Sequence, residues 1–375
     1  MKLSLYSERG YVSIKKRPRG PPRLQEPLLR GYSARARMSE PTKKKAVFDP
    51  TGEEELDPTL RPRSFAEFVG QKKVVENLQV YLRAAKERKE PPEHILLSGL
   101  PGLGKTTLAQ IVAVELGAQL KSTTGPALER AKDLIGILTN LKKGDILFID
   151  EIHRIPAAVE EYLYGAMEDF LIDFTIDQGP NARVLQMRLH RFTLIGATTR
   201  EGLLSAPFRG RFGVLEKLQP YPPEELIRIV ERAAKILGVA LDSDGALRIA
   251  SRSRGIPRIA NRFLRRIRDL AQVKGAKRID AALTEEGLRM LGVDERGLED
   301  LDRRILATIV RLGGGPVGLK TVAVSVGEEE ETIEEVYEPF LIREGYLEKT
   351  PRGRKATPLS YQLVGAKPDE AGLLF

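Results

Sequence analysis

Nine residues, 99–107, limit the possible folds of this chain more than any other stretch: Gly99-Leu100-Pro101-Gly102-Leu103-Gly104-Lys105-Thr106-Thr107. They read G-x-x-x-x-G-K-T, the phosphate-loop pattern. An apolar run, His94-Ile95-Leu96-Leu97-Ser98, precedes them. A helical period follows, with Leu108, Ile111, Val112, Val114 and Leu116, and stops at Gly117. A strand, a glycine loop and a helix in that order predict a nucleotide cradle. The glycines let consecutive backbone N–H groups turn inward on phosphate oxygens, and the helix aims its positive end at them. Lys105 then reaches the β- and γ-phosphates, Gly102, Gly104 and Thr107 shape the cradle, and the Thr106 hydroxyl is placed to ligate Mg²⁺.

A cradle of this kind needs acids on a neighbouring strand. The run Asp145-Ile146-Leu147-Phe148-Ile149 ends in Asp150-Glu151. A continuous apolar run before two acids reads as a buried parallel strand whose carboxyl end meets a ligand. Asp150 is placed to hold Mg²⁺ through water and Glu151 to polarise the attacking water. A further run, Phe192-Thr193-Leu194-Ile195-Gly196-Ala197, ends in Thr198-Thr199-Arg200. A hydroxyl there senses a γ-phosphate or merely closes an ST-turn; Thr199 is the candidate, with Thr198 beside it. Next, Arg209-Gly210-Arg211 stands before a last strand over 214–218. Those arginines are either solvated or reach a phosphate across a subunit interface, which suits the guanidinium.

The other elements follow from period and punctuation. A helix over 72–89 presents Val75, Leu78, Gln79 and Leu82 on one face and ends at Pro91-Pro92; a second strand is expected over 119–123. After a helix over 157–170, residues 171–189 alternate as a β-hairpin with its turn at Gly179. Helices over 224–237, 242–253, 257–273 and 280–291 make a small helical domain. Residues 248–278 carry eleven Lys/Arg against one acid, Asp269. Most of these read as a solvated basic face, with Arg258, at a helix start, free to touch phosphate. From 298 onward come helices over 300–312, 319–325 and 328–344, then a basic Gly/Pro hairpin: a winged-helix order. The third helix is acidic, so it is not a major-groove reader. Lys349, Arg352, Arg354 and Lys355 in the wing suit phosphate gripping without sequence reading; the other use of such a module is protein docking.

Charge adds one point. The net charge is +9, but residues 1–48 hold thirteen Lys/Arg and three acids, a net +10, which leaves the rest at −1. A nucleic-acid footprint outside the tail must therefore be local. The tail reads as a solvated arm, a transit-peptide-like leader, or an extension upstream of a start at Met38. The chain has no cysteine, which fits a reducing compartment, and three scattered histidines that read as structural. No apolar run approaches the ~18 residues of a membrane span.

Residues 58–365 resemble the RuvB family of Holliday-junction branch-migration motors, AAA+ ATPases. The resemblance rests on 99–107, Phe148-Ile149-Asp150-Glu151-Ile152-His153-Arg154, Gly196-Ala197-Thr198-Thr199-Arg200, Ala206-Pro207-Phe208-Arg209-Gly210-Arg211-Phe212-Gly213, Gly313-Gly314-Gly315-Pro316-Val317-Gly318-Leu319 and Arg352-Gly353-Arg354. It implies an α/β AAA+ P-loop domain with a parallel sheet over 56–219, an all-helical lid over 220–297, a winged helix over 298–365, and tails over 1–55 and 366–375. It implies ATP and Mg²⁺ as cofactors and a homo-hexamer on duplex DNA at four-way junctions. RuvA would dock through hairpin 171–189 and RuvC resolvase join the wider complex, in cytoplasmic recombination, repair and the SOS response. By the same resemblance Arg211 is an arginine finger acting on a neighbour's ATP, Thr199 is sensor 1 and Arg258 sensor 2. Leu60, Arg61 and Tyr221 border the nucleotide, Glu168, Asp169 and Phe170 lie near one, and Lys349, Arg352 and Arg354 bind DNA. Leu100 and Ile256 depart from the family's usual Pro and Thr. Two other readings fit the motifs less fully: a clamp-loader-like switch ATPase, and a winged-helix DNA-binding regulator with a degenerate nucleotide site.

Overall fold

Short apolar strands buried on both faces decide the architecture. The computed structural model describes residues 58–176 and 183–366. The basic tail with Met38, the hairpin turn at Gly179 and the last nine residues lie outside the described residues. The first region comprises α1 (Lys72–Arg88), β1 (Ile95–Ser98), α2 (Lys105–Leu116), β2 (Leu120–Thr124), α3 (Ala131–Leu138), β3 (Ile146–Asp150) and α4 (Ala157–Glu168). It continues with β4 (Leu171–Ile176), β5 (Arg183–Arg188), β6 (Thr193–Thr198), α5 (Ala206–Arg209) and β7 (Val214–Lys217). Five strands form one parallel sheet, ordered β2-β3-β6-β1-β7. Strands β4 and β5 pair antiparallel as a separate hairpin, Leu171 opposite Arg188 through Ile176 opposite Arg183.

Alternation along the strands sends side chains to two cores. Ile95, Leu97, Ile146, Phe148, Ile195 and Ala197 pack with α1 and α2. Leu96, Leu147, Ile149 and Leu194 pack with α3 and α4. On α1 the buried face is Val74, Leu78, Leu82 and Ala85: Leu78 and Leu82 stand as expected, while Val75 is half-buried and Gln79 exposed. Val114, expected inside, is exposed on α2.

Four helices follow: α6 (Pro223–Ile236), α7 (Ser243–Arg252), α8 (Pro257–Val273) and α9 (Ala281–Met290). Their core is continuous with that under α1 and α2. The expected solvated basic face is corrected here. Arg252 is buried against Glu285 at 2.8 Å, Arg254 against Asp302 at 2.5 Å, and Arg262 meets Glu299 at 2.9 Å. Arg268 meets Asp269 at 2.9 Å, Lys274 reaches Glu286 and Arg278 pairs with Asp242. All of these acids but Asp269 lie outside 248–278, which a local count of charges misses.

The last region is α10 (Asp300–Arg311), α11 (Leu319–Val326), α12 (Glu330–Thr332), a π turn over Ile333–Tyr337, α13 (Glu338–Arg343), β8 (Leu347–Thr350), β9 (Gly353–Ala356) and α14 (Pro358–Val364), around its own core. The single helix expected over 328–344 is one continuous helical run over 330–343 that the π turn widens in its middle. Gly315 has φ +101°, and a Cβ there would lie 2.3 Å from the Arg354 carbonyl. Only glycine lets the triple-glycine turn sit that close to the wing strand.

Candidate nucleotide site and wing

The glycine loop turns between β1 and α2 as its spacing requires. Gly102 has φ +80°, and a Cβ on it would lie 2.8 Å from both the Arg258 Cβ and the Ile256 Cγ2. The loop is therefore seated against the start of α8, which brings Arg258 to it. Arg258 is exposed and has no hydrogen bond or ion pair among the described residues. The ring of Phe68, which the motifs did not single out, packs 3.2 Å from where a Gly104 Cβ would stand.

Lys105 begins α2, 7% exposed. Its ammonium donates to the carbonyls of Gly99 at 2.8 Å and Leu100 at 3.1 Å. Burial lowers its pKa to about 8, with Asp150 pulling the other way. Thr106 Oγ1 donates to Asp150 Oδ2 at 3.1 Å, and the Glu151 N–H donates to Asp150 Oδ1 at 3.0 Å. A hydroxyl beside a carboxylate is an oxygen-donor pair that suits Mg²⁺ once phosphate oxygens and water complete the shell. No cluster of three or more His, Cys, Asp or Glu able to hold a metal occurs among the described residues. Glu151 takes a left-handed backbone, φ +48°, at the strand end, and Arg154 reaches its carboxylate at 3.2 Å.

The two threonines differ. Thr198 Oγ1 lies 3.0 Å from His153 Nδ1 and accepts from the Arg200 N–H at 3.0 Å. Thr199 Oγ1 is buried and has no partner. An unpaired buried hydroxyl is costly, so this one is suited to an incoming acceptor. Near the lid, Arg232 donates to the Leu60 carbonyl at 2.8 Å, Tyr221 Oη donates to the Leu103 carbonyl at 3.3 Å, and Arg61 Nε is buried without a partner.

Arg211, Glu168, Asp169 and Phe170 do not join this group. Val214 pairs with Ile95 and Lys217 with Ser98. Arg211, three residues before Val214, thus stands at the edge where β1 begins, while the glycine loop stands where β1 ends. His94, just before β1, fixes the end of α4 at that same edge: its Nδ1 accepts from the Leu194 N–H at 2.8 Å, so its Nε2–H donates to the Met167 carbonyl at 3.0 Å. Burial lowers the His94 pKa, in keeping with the neutral ring this pattern needs. There the Arg211 guanidinium sits 4.2 Å over the Tyr164 ring, donates to the Pro207 carbonyl at 2.7 Å and meets Glu168 at 3.2 Å. Tyr164 was missed in the sequence, where it stood only as one residue of the helix over 157–170. Phe170 packs edge-on to Phe192, centroids 5.9 Å apart.

In the wing, Arg352 is exposed at the turn between β8 and β9. Lys349 and Arg354 are not free: Lys349 meets Glu334 at 2.7 Å, and Arg354, 11% exposed, pairs with Glu338.

Three family models cover this arrangement in succession. The Holliday junction DNA helicase RuvB P-loop domain matches residues 60–218, the RuvB AAA lid domain 221–294, and the RuvB C-terminal winged helix domain 295–365. The chain belongs to the RuvB family. Relatives of this RuvB-family chain include the Holliday junction branch migration complex subunit RuvB of Myxococcus xanthus, 58% identical over 84% of this chain and 92% of that one. That of Chlorobaculum tepidum is 56% identical over 82% and 90%. The solved RuvB Holliday junction branch migration motor of Thermotoga maritima superposes with a TM-score of 0.76 at 46% identity, covering 82% of this chain and 99% of that one.

Proposed function

We propose that this chain is an ATP-hydrolysing DNA motor that drives branch migration at four-way junctions as a homo-hexameric ring working with RuvA. The observation that supports the reading is that the candidate site residues fall at two opposite edges of one sheet. Lys105, Thr106, Asp150, Glu151, Thr199 and Arg258 gather at the carboxyl edge. Arg211, Glu168, Asp169 and Phe170 gather at the opposite edge. A head-to-tail ring brings the second group of one subunit to the first group of the next.

In the assembled site Lys105 holds the β- and γ-phosphates; the Thr106 hydroxyl and, through water, Asp150 would hold Mg²⁺, which would offset phosphate charge. Glu151 takes a proton from the attacking water, and Thr199 rather than Thr198 answers to the γ-phosphate. The neighbour's Arg211 leaves Glu168 to stabilise the charge on the transferring group. Leu60, Arg61 and Tyr221 close the nucleotide on the lid side, where Arg258 reports the lid's position. The wing, through Arg352, Lys349 and Arg354, grips DNA backbone. Hairpin 171–189 serves as the RuvA-docking element, RuvC acts in the wider complex, and the location is cytoplasmic.

The test is ATP-dependent dissociation of a synthetic four-way junction, with and without RuvA. Dissociation that needs both ATP and an intact Lys105 is expected. ATP hydrolysis without any junction dissociation would favour the switch-ATPase reading instead.

A further inference from the structure

Arg200 directly follows Thr199 at the end of β6, and its guanidinium is held by the winged helix. Its Nη2 donates to Glu334 Oε2 at 3.1 Å, and its Nε lies 2.6 Å from Glu335 Oε1. The other oxygen of Glu334 faces the wing: Oε1 accepts from Lys349 Nζ at 2.7 Å and has Arg354 at 3.6 Å. Glu338, its side chain 2% exposed, takes Arg354 and lies 3.8 Å from Lys349. Three acids and three cations therefore form one balanced cluster. All three acids come from the π turn and the first residue of α13, and π turns occur frequently at functional sites. Glu334 is the member that touches both sides. Hydrogen bonding from Lys349 holds its carboxyl below the usual range, so it is charged.

We propose that Glu334 is a positioning residue through which a DNA phosphate bound at the wing reaches the γ-phosphate-sensing hydroxyl of Thr199. The proposal rests on the reading that the wing grips DNA backbone and that Thr199 faces ATP. In the free chain Lys349 is neutralised by Glu334. A DNA phosphate that takes Lys349 releases Glu334 Oε1, and the carboxylate is left with Arg200 as its main cation. Arg200 then shifts toward the winged helix and carries Thr199 with it, one peptide away. Arg354, the other cation near that oxygen, stays paired with Glu338.

The test uses the full chain, assembled, with Glu334→Gln, which keeps the side chain's size and removes its charge. Duplex affinity is read by fluorescence anisotropy, and ATP hydrolysis is read with and without duplex. Glu334→Gln should tighten duplex binding about two- to fivefold, the range of a partly exposed ion pair no longer competing for Lys349. It should leave hydrolysis without DNA within about twofold of the parent and abolish its stimulation by DNA; Glu334→Asp should restore part of that stimulation. In a Lys349→Met background the tightening should vanish. Lys349→Met alone frees Glu334 without DNA, so it should raise DNA-free hydrolysis toward the stimulated rate. That arm stands even if Glu334→Gln does not fold. Stimulation by DNA that survives Glu334→Gln, or DNA-free hydrolysis unmoved by Lys349→Met, would overturn the proposal. A parent protein that neither binds duplex nor responds to it would instead overturn the functional reading.

Discussion

On the proposed reading, Arg211 and Lys105 serve the same reaction from different chains, and mixing two inactive variants should expose this. Strand β1 spans four residues, about 10–13 Å at ~3.3 Å per residue, with the glycine loop at one end and the Arg211 edge at the other. Arg211 is also held at its own edge by Tyr164, Pro207 and Glu168. An arginine finger contributes about 10³–10⁵ in rate, or roughly 4–7 kcal/mol of barrier. Arg211→Ala and Lys105→Ala should therefore each hydrolyse ATP at background. In equimolar mixed rings, a site works when its own subunit supplies Lys105 and the adjoining one supplies Arg211. Random placement makes that true for about one site in four, whatever the ring size. Hydrolysis per site should recover to about a quarter of the parent rate, read by a coupled phosphate-release assay after subunit exchange has been confirmed by fluorescence energy transfer. If Arg211 acts on its own chain, no chain in the mixture carries both residues. Mixed rings that stay at background would refute the divided site.

Three further outcomes are expected. Glu151→Gln should bind ATP at near-parent affinity yet hydrolyse it about 10²–10⁴-fold more slowly; normal turnover in phosphate release would remove Glu151 as the group that takes the water's proton. Gly102→Ala should weaken binding of a fluorescent ATP analogue more than tenfold, because the new methyl meets Arg258 and Ile256, whereas Gly238→Ala, at φ +67° in open space, carries backbone strain without a clash and should bind as the parent does. Arg254→Leu strands the buried Asp302 carboxylate and should cost about 3–5 kcal/mol at pH 8 in urea unfolding. Burial already raises Asp302 to about 6, and losing the arginine raises it further. The folded chain then binds the proton more tightly than the unfolded one, so this deficit should shrink as pH falls from 8 to 5; a deficit independent of pH would argue against Asp302 as its source.

The glycine loop, the acids after β3 and the hydroxyls after β6 were legible because each is a local pattern: an apolar run, then chemistry at its carboxyl end. The winged helix was legible for a similar reason, from helix order and a Gly/Pro turn. The ion pairs were not. Arg252, Arg254 and Arg262 look like a basic face until α9 and α10 supply Glu285, Asp302 and Glu299 from far along the chain. The eight residues of α3 and the seven of α14 carried too little period to separate from loop. The π turn was hidden because hydrophobic spacing over 328–344 reads as one helix whether or not a turn is widened. Tyr164 was hidden because a helical aromatic is most often core, and here one face of its ring is the seat of Arg211.

The internal pairing of the lid arginines narrows where DNA can be held. With most cations of 248–278 already matched to acids, the long basic run in the lid offers little free charge to a duplex. Of the three wing residues, Arg352 is exposed with no ion pair among the described residues, Lys349 is exposed but paired with Glu334, and Arg354 is largely buried against Glu338. On the proposed reading, one unpaired exposed wing cation per subunit gives weak, salt-sensitive contact, and grip comes from adding subunits around the same duplex. On that reading the ring is needed twice over, once to complete each ATP site with a neighbour's arginine and once to sum wing contacts that are individually weak. Weak contacts are also what a translocating protein needs, because each wing has to release the backbone within every cycle. On the same reading the glycine loop at 99–107 is one half of an interface, and the acids that temper the wing set how readily the other end of the same subunit lets go.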